Sequence, residues 1–304
     1  MQNRVMQQFG LRAPVVNAPM GGAAGGRLAA AVTAAGGLGM IGMGSSGNPE
    51  ALQRELDVVP PGVRVGIGMV DWVARGNPGL LDLAIEARPV LLSVSFGTDF
   101  DWVPRAQAEG IATVTQVADA TEARAAHDAG VDLLVARGLE GGGHGRPRQA
   151  RDEVLAKVLA VTDRPVLAAG AISNADDARQ VLALGAAAAW VGTAFLVTAE
   201  ALTTPGARQA LLAATGADTA LTTAFDRALG YSWPPDIPER VLVNRFTARW
   251  DDPERPFDQD LAGAELRAAI ERDDPAEQSV NAGVGVGSLR AELSAAEVVA
   301  RLCP

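Results

Sequence analysis

Eight short apolar runs rich in Val and Ile, at 15–18, 38–41, 63–69, 90–95, 112–115, 133–136, 166–169 and 188–191, alternate with segments in which Ala, Leu and Val recur at helical spacing. Such alternation is the signature of repeated βα units around a parallel sheet. Eight units at a spacing of about 25 residues predict an α/β fold, a (β/α)8 TIM barrel, although an open doubly wound sheet shows the same alternation. Between 203 and 281 the pattern lapses, and Pro, Trp, Arg and Asp become frequent, as in "YSWPPDIPERVLVNRF" and "RWDDPERPFDQD". This stretch reads as a smaller, mainly helical domain inserted after the eighth strand. The later "LRAELSAAEVVARL" reads as a helix returning to close the barrel. The expected division is therefore 1–202 with 282–304 for the barrel and 203–281 for a domain capping the substrate.

Composition narrows the function. With 48% hydrophobic and 20% charged residues, the chain has none of the polar bias of disorder. Its net charge of −10, without a basic run interleaved with aromatics, argues against nucleic acid as a partner. The single cysteine, Cys303, excludes an internal disulfide and a cysteine metal site, and no metal is expected. The N-terminus lacks a basic region followed by an apolar stretch, so a cytoplasmic protein is expected. The 19 uncharged residues 181–199 approach spanning length, but Leu184-Gly185 reads as the end of a helix before a buried strand.

Four glycine-containing motifs require weighing. Gly37, Gly39 and Gly42 satisfy G-x-G-x-x-G, yet they follow a helix and enter a strand, the reverse of a dinucleotide fingerprint. Gly36 and Gly37 read instead as a helix C-cap and turn. "NAPMGG", at 17–22, leaves the first strand on the face where barrels place catalytic loops, and its glycines suit either a planar ligand lying on backbone or an ordinary turn. "AAGAI" after the seventh strand and Gly192-Thr193 after the eighth occupy the places where barrels bind phosphate with backbone N–H groups and a short helix. The fourth motif, "RGLEGGGHG" at 137–145, follows the sixth strand and sets His144 among five glycines. Those glycines give a ligand room to approach backbone, and an imidazole there can polarise an anion or take a proton. Glu140 either orients that imidazole or is solvated. His127, the other histidine, reads as a structural residue of its helix.

These motifs, with "TQVADATEARAAHDAGVDLLVARGLEGGGHG", "LAAGAISNADDARQVLALGAAAAWVGTAFL", "WPPDIPERVLVNRF" and "NAGVGVGSL", resemble the FMN-dependent nitronate monooxygenases, formerly 2-nitropropane dioxygenases, and their flavin enoyl-thioester reductase relatives, over nearly the whole chain. The resemblance implies FMN across the C-terminal ends of the barrel strands. It puts Ala18, Pro19 and Met20 on the flavin ring, Gln116 near it, and Gly142 and Gly143 approaching it. Gly170, Ala171, Val191, Gly192 and Thr193 would receive the phosphate, and Gly21, Arg137, Gly138 and Trp190 complete the implied cofactor site. His144 matches the catalytic histidine, which stabilises an alkyl nitronate or abstracts the α-proton of a nitroalkane while the flavin passes one electron to oxygen. The implied reaction partners are a small anionic substrate and O2; a homodimer is left open. Two positions depart from the family: Arg137 stands where Gln is common, and could alter the flavin potential or pair with an anionic substrate, and Ala171 stands where Gly is usual. NAD(P)H-dependent reduction of an enoyl thioester or quinone is the alternative activity. A phosphate-binding barrel without catalysis is the second alternative. Trp72, Phe96 and Phe100 either wall an apolar pocket or belong to the core, with Tyr231 and Trp233 placed to close over it.

Overall fold

In the computed structural model, which describes residues 4–252, 254 and 256–303, each of the eight apolar runs becomes a strand. These are β1 (Val15–Asn17), β2 (Met40–Met43), β3 (Gly66–Val70), β4 (Leu91–Ser95), β5 (Ala112–Val117) and β6 (Leu133–Arg137), then β8 (Val166–Ala169) and β9 (Ala188–Val191). A two-residue strand, β7 (Gly143–His144), lies between β6 and β8 in sequence but outside the barrel. The barrel strands are all parallel, in the order β1-β9-β8-β6-β5-β4-β3-β2. A parallel bridge between Val16 and Leu38 joins the two ends. There the Asn17 N–H donates to Leu38 O at 3.1 Å, and the fully buried Asn17 side chain accepts from the Met40 N–H at 2.7 Å and donates to Met40 O at 3.0 Å. An amide side chain thus supplies the rungs that the backbone of β1 and β2 does not.

Alternate residues of each strand face opposite ways, which divides the core into two layers. Val16, Met40, Leu91, Val114, Leu133, Val135, Leu167 and Trp190 pack together in one, while Val15, Ile41, Ile67, Leu92, Leu134, Ala136 and Ala168 pack in the other with apolar faces of the helices. Burying each Leu or Val contributes roughly 1.5–3 kcal/mol before conformational entropy opposes it. Local signals set the helix ends. Asn174 and Asp119 cap the helices Ala175–Ala183 and Ala120–Asp128 through their side chains, and Gly36, at φ 101°, ends the helix Gly26–Ala35. Gly39 and Gly42 are packing glycines: a Cβ on either would strike the backbone of Ala29 or Met20. Among the described residues no helix is long and apolar enough to cross a membrane. The uncharged stretch 181–199 is the end of a helix, then β9, then the short helix Thr193–Leu196.

After β9 the chain forms the helices Pro205–Ala213, Ala224–Leu229, Arg245–Trp250 and Gln259–Glu271, with two strands, β10 (Thr219–Thr222) and β11 (Glu239–Leu242). Phe225, Val241, Phe246, Trp250, Ala262 and Leu266 form a separate apolar cluster here. β11 lies between β10 and β7, antiparallel to both, and pairs Glu239 with His144 and Arg240 with Gly143. That small sheet was not anticipated from the sequence, and it ties the later stretch to the glycine loop. The helix Ala295–Leu302 returns to pack on Gly26–Ala35 and Ala175–Ala183.

Candidate active site

The loops leaving the C-terminal ends of the barrel strands surround a cavity of about 480 Å³. Ala18, Pro19, Met20, Gly21, Gln116, Arg137, Gly142, Gly143, His144, Gly170, Ala171, Trp190, Val191, Gly192 and Thr193 all line it. Gly138 does not: a Cβ there would meet the backbone of Arg151 and the carboxylate of Glu140. His127 is remote in role, with Nδ1 at 2.9 Å from Thr162 Oγ1.

The glycine loop is held by cations beneath it. Arg137, at the end of β6 and only 7% exposed, donates from one guanidinium nitrogen to Gly141 O, Gly142 O and Gly143 O at 2.9, 3.1 and 2.9 Å. Burial and then the neighbouring Arg240 pull its pKa down to about 10, so it remains charged at neutral pH. Arg240 reaches Leu139 O through Nε and Nη2 at 3.1 and 3.0 Å. Glu140 neither orients the imidazole nor stands free in solvent: its carboxylate accepts from the Arg151 N–H, and the Arg151 guanidinium donates to Gly170 O at 3.1 Å. The glycines clear space chiefly for protein. A Cβ at Gly145 would strike the Arg137 guanidinium, and one at Gly142 would strike the backbone of Ala282 and Gly283.

Segments 170–173, 192–193 and 283–285 converge on the cavity. The Gly283 N–H donates to Thr193 Oγ1 at 3.0 Å, Ser173 Oγ donates to Gly285 O at 3.2 Å, and a Cβ at Gly192 would lie 3.4 Å from Met20 Sδ. Among the described residues the N–H groups of Ala171 and Gly192 donate to no protein acceptor. A backbone cradle with free donors beside a sizeable cavity fits a phosphate-bearing planar cofactor. Ala171 sits at φ 50°, where an L side chain costs about 1–2 kcal/mol. Ala171→Gly should therefore stabilise the protein, by up to about 1 kcal/mol once the greater freedom of glycine in the unfolded chain is deducted. A raised urea midpoint with unchanged slope is the expected reading, and a lowered midpoint would count against strain here.

His144 faces two carboxyl groups that the sequence reading passed over. Its Nε2 lies 2.8 Å from Oδ2 of the buried Asp226, on the helix Ala224–Leu229. Glu239, opposite His144 in the β7–β11 register and 3% exposed, brings an oxygen within 4.8 Å of both, and the three atoms together are a set of a size that could hold a metal ion. Burial and then Asp226 push the Glu239 pKa up to about 8. The indole of Trp233 stacks on the imidazole, with ring centroids 3.6 Å apart and planes 5° from parallel, and its Nε1 donates to Ser45 Oγ at 2.9 Å across the cavity. Phe96 and Trp72 meet Trp233 edge-on at 5.1 and 6.0 Å, and Tyr231 lies 6.2 Å from Trp72. Phe96, Tyr231 and Trp233 line the cavity; Trp72 and Phe100 stand outside that lining.

The sequence profile described as nitronate monooxygenase matches residues 71–304. The chain belongs to the nitronate monooxygenase family. A nitronate monooxygenase of Paraburkholderia phytofirmans is 30% identical over 97% of this chain and 92% of its own. Among solved structures, the nitroalkane oxidase of Streptomyces ansochromogenes superposes with a TM-score of 0.82 at 30% identity, covering 97% of each chain. FabK from Thermotoga maritima superposes at 0.85 with 25% identity, over 99% of this chain and 95% of its own. Membership makes the chain a flavin-dependent oxidoreductase that acts on a small molecule. The barrel-end cavity, about 480 Å³ in volume and edged by the backbone cradle, is of a size and chemistry that fit a flavin.

Proposed function

We propose that the protein is an FMN-dependent nitronate monooxygenase that oxidises alkyl nitronates, and nitroalkanes after proton removal, with O2 to carbonyl compounds and nitrite. The observation that carries this reading is the His144–Asp226 pair in the cavity wall. Asp226 holds a proton on Nε2, which leaves Nδ1 as the nitrogen that accepts a proton from a nitroalkane or, once protonated, presents a positive charge to a nitronate. The carboxylate stabilises the imidazolium so formed, and Trp233 stacked on the ring fixes its plane and excludes water from one side. Ala18–Gly21, Gln116 and the cradle 170–171 with 191–193 would hold FMN, which would supply the one-electron redox chemistry between substrate and oxygen. Residues 203–281 act in this reading as a cap, since they contribute Asp226, Tyr231, Trp233 and Glu239 to the cavity wall.

The direct test is aerobic turnover of propyl-2-nitronate, following oxygen uptake and nitrite release together. Both are expected in step with consumption of the nitronate. Oxygen uptake without nitrite would contradict the assignment. The competing activity in the same cavity is reduction of an enoyl thioester or quinone at the expense of NAD(P)H.

A further inference from the structure

Glu239 is a buried carboxyl group without a cation of its own. Among the described residues it enters no ion pair with Lys or Arg, and the neighbouring Arg240 points to Leu139 O and Thr219 Oγ1. Its hydrogen-bond partners are the neutral Ser279, whose Oγ lies 3.3 Å from Oε2, and Asn281. The titratable groups facing it are His144 from β7, Asp226 from the helix Ala224–Leu229, and Asp251 following the helix Arg245–Trp250. Thr222, its partner on β10, is neutral and hydrogen-bonded to Asp251. Any positive charge on His144 is already matched by Asp226 at 2.8 Å. An ionised Glu239 would add a second buried negative charge with nothing to balance it, and such a group takes up a proton instead. A neutral carboxyl differs from a carboxylate in one respect that matters here: it has an O–H to donate.

We propose that Glu239 works as a neutral carboxylic acid, a specificity-determining residue that donates its O–H to an oxygen of an anion held at His144, and that ionisation converts this donor into a charge that repels the anion. The inference rests on the nitronate reading for the identity of the anion, because a nitronate offers two negatively polarised oxygens to two adjacent donors. It stands on position: Glu239 lines the cavity, and its oxygen lies within 4.8 Å of the reactive imidazole and of Asp226. The raised pKa of about 8 puts the neutral acid below that pH and the carboxylate above it. Anion binding is therefore supported at pH 7 and lost as pH rises through about 8.

The test uses the flavin-loaded full chain and two readouts that do not require turnover. Infrared difference spectra between the parent and Glu239→Gln should show the carbonyl band of a neutral carboxylic acid at pH 7 in the parent, absent from the variant and lost from the parent at pH 9.5. Nitrite binding, followed by perturbation of the flavin absorbance, should weaken about tenfold or more in the parent between pH 7 and 9.5. In Glu239→Gln, whose amide donates but does not ionise, the alkaline loss should be several-fold smaller than in the parent, with only the contribution of His144 remaining. Glu239→Ala should bind nitrite about tenfold more weakly at pH 7. The proposal is overturned by a missing acid band at pH 7, by an alkaline loss of nitrite binding equal in parent and Gln variant, or by a stoichiometric divalent metal bound to His144, Asp226 and Glu239 in the purified protein. Absence of nitronate turnover in the parent would instead remove the functional reading, and leave the infrared and nitrite results to decide Glu239.

Discussion

Replacing His144 by Ala should lower nitronate turnover by about 10²–10⁴-fold while the purified protein keeps its flavin. The cofactor contacts proposed above come from β1, β5, β8 and β9 and the loops after them, and none of them passes through the imidazole. What the substitution removes is the group that meets the substrate's charge or proton, together with the partner of Asp226 and the surface on which Trp233 stacks. Asp226 would then be a buried carboxyl without its partner, so the variant should also be somewhat less stable. Rapid-mixing turnover at several pH values, with the flavin content read from the visible spectrum, measures both consequences. Turnover equal to the parent's would remove His144 from the chemistry.

The second large effect is expected at Arg137, and it falls on stability. Arg137→Met keeps the volume of the side chain but leaves the carbonyls of Gly141, Gly142 and Gly143 without their shared donor, at a cost of about 3 kcal/mol. Because that loop carries β7, loosening it should also disturb the pairing of His144 with Glu239. Arg137→Gln, the residue the resemblance puts at this position in relatives, keeps an NH2 donor on a shorter side chain, so it retains part of this bonding and should cost less. Denaturant unfolding of the flavin-loaded proteins gives the ranking directly. A methionine variant as stable as the parent would mean that the guanidinium is not what holds the loop. The structure thus turns the expectation of a substrate-pairing or potential-tuning cation towards a loop-holding one.

The barrel was legible because its strands are runs of buried apolar residues alternating with helices, several of whose ends are written locally, as at Asn174, Asp119 and Gly36. The glycine loop was legible for a related reason: a histidine among five glycines after a barrel strand fits neither a helix nor a strand pattern. The partners of that histidine were not. Asp226 lies on a six-residue helix and Glu239 on a four-residue strand, too short for periodicity to show, in a stretch crowded with Pro and charge. The sign of Glu239 on β11 was an acidic residue two positions before the buried Val241, on the same face of an extended segment. Only the pairing of β11 with β7 makes that face point at His144, and a pairing between residues nearly a hundred positions apart leaves no local trace. Arg137 shows the same limit, since its role depends on how the loop after it folds back over the guanidinium.

Anaerobic mixing of the flavin-loaded protein with propyl-2-nitronate, and separately with NADH and with NADPH, tests the central claim most directly. The account predicts that the nitronate alone changes the flavin spectrum and that neither nicotinamide does so at a comparable rate. A flavin reduced only by a nicotinamide would contradict it and make the enzyme a reductase built on the same barrel.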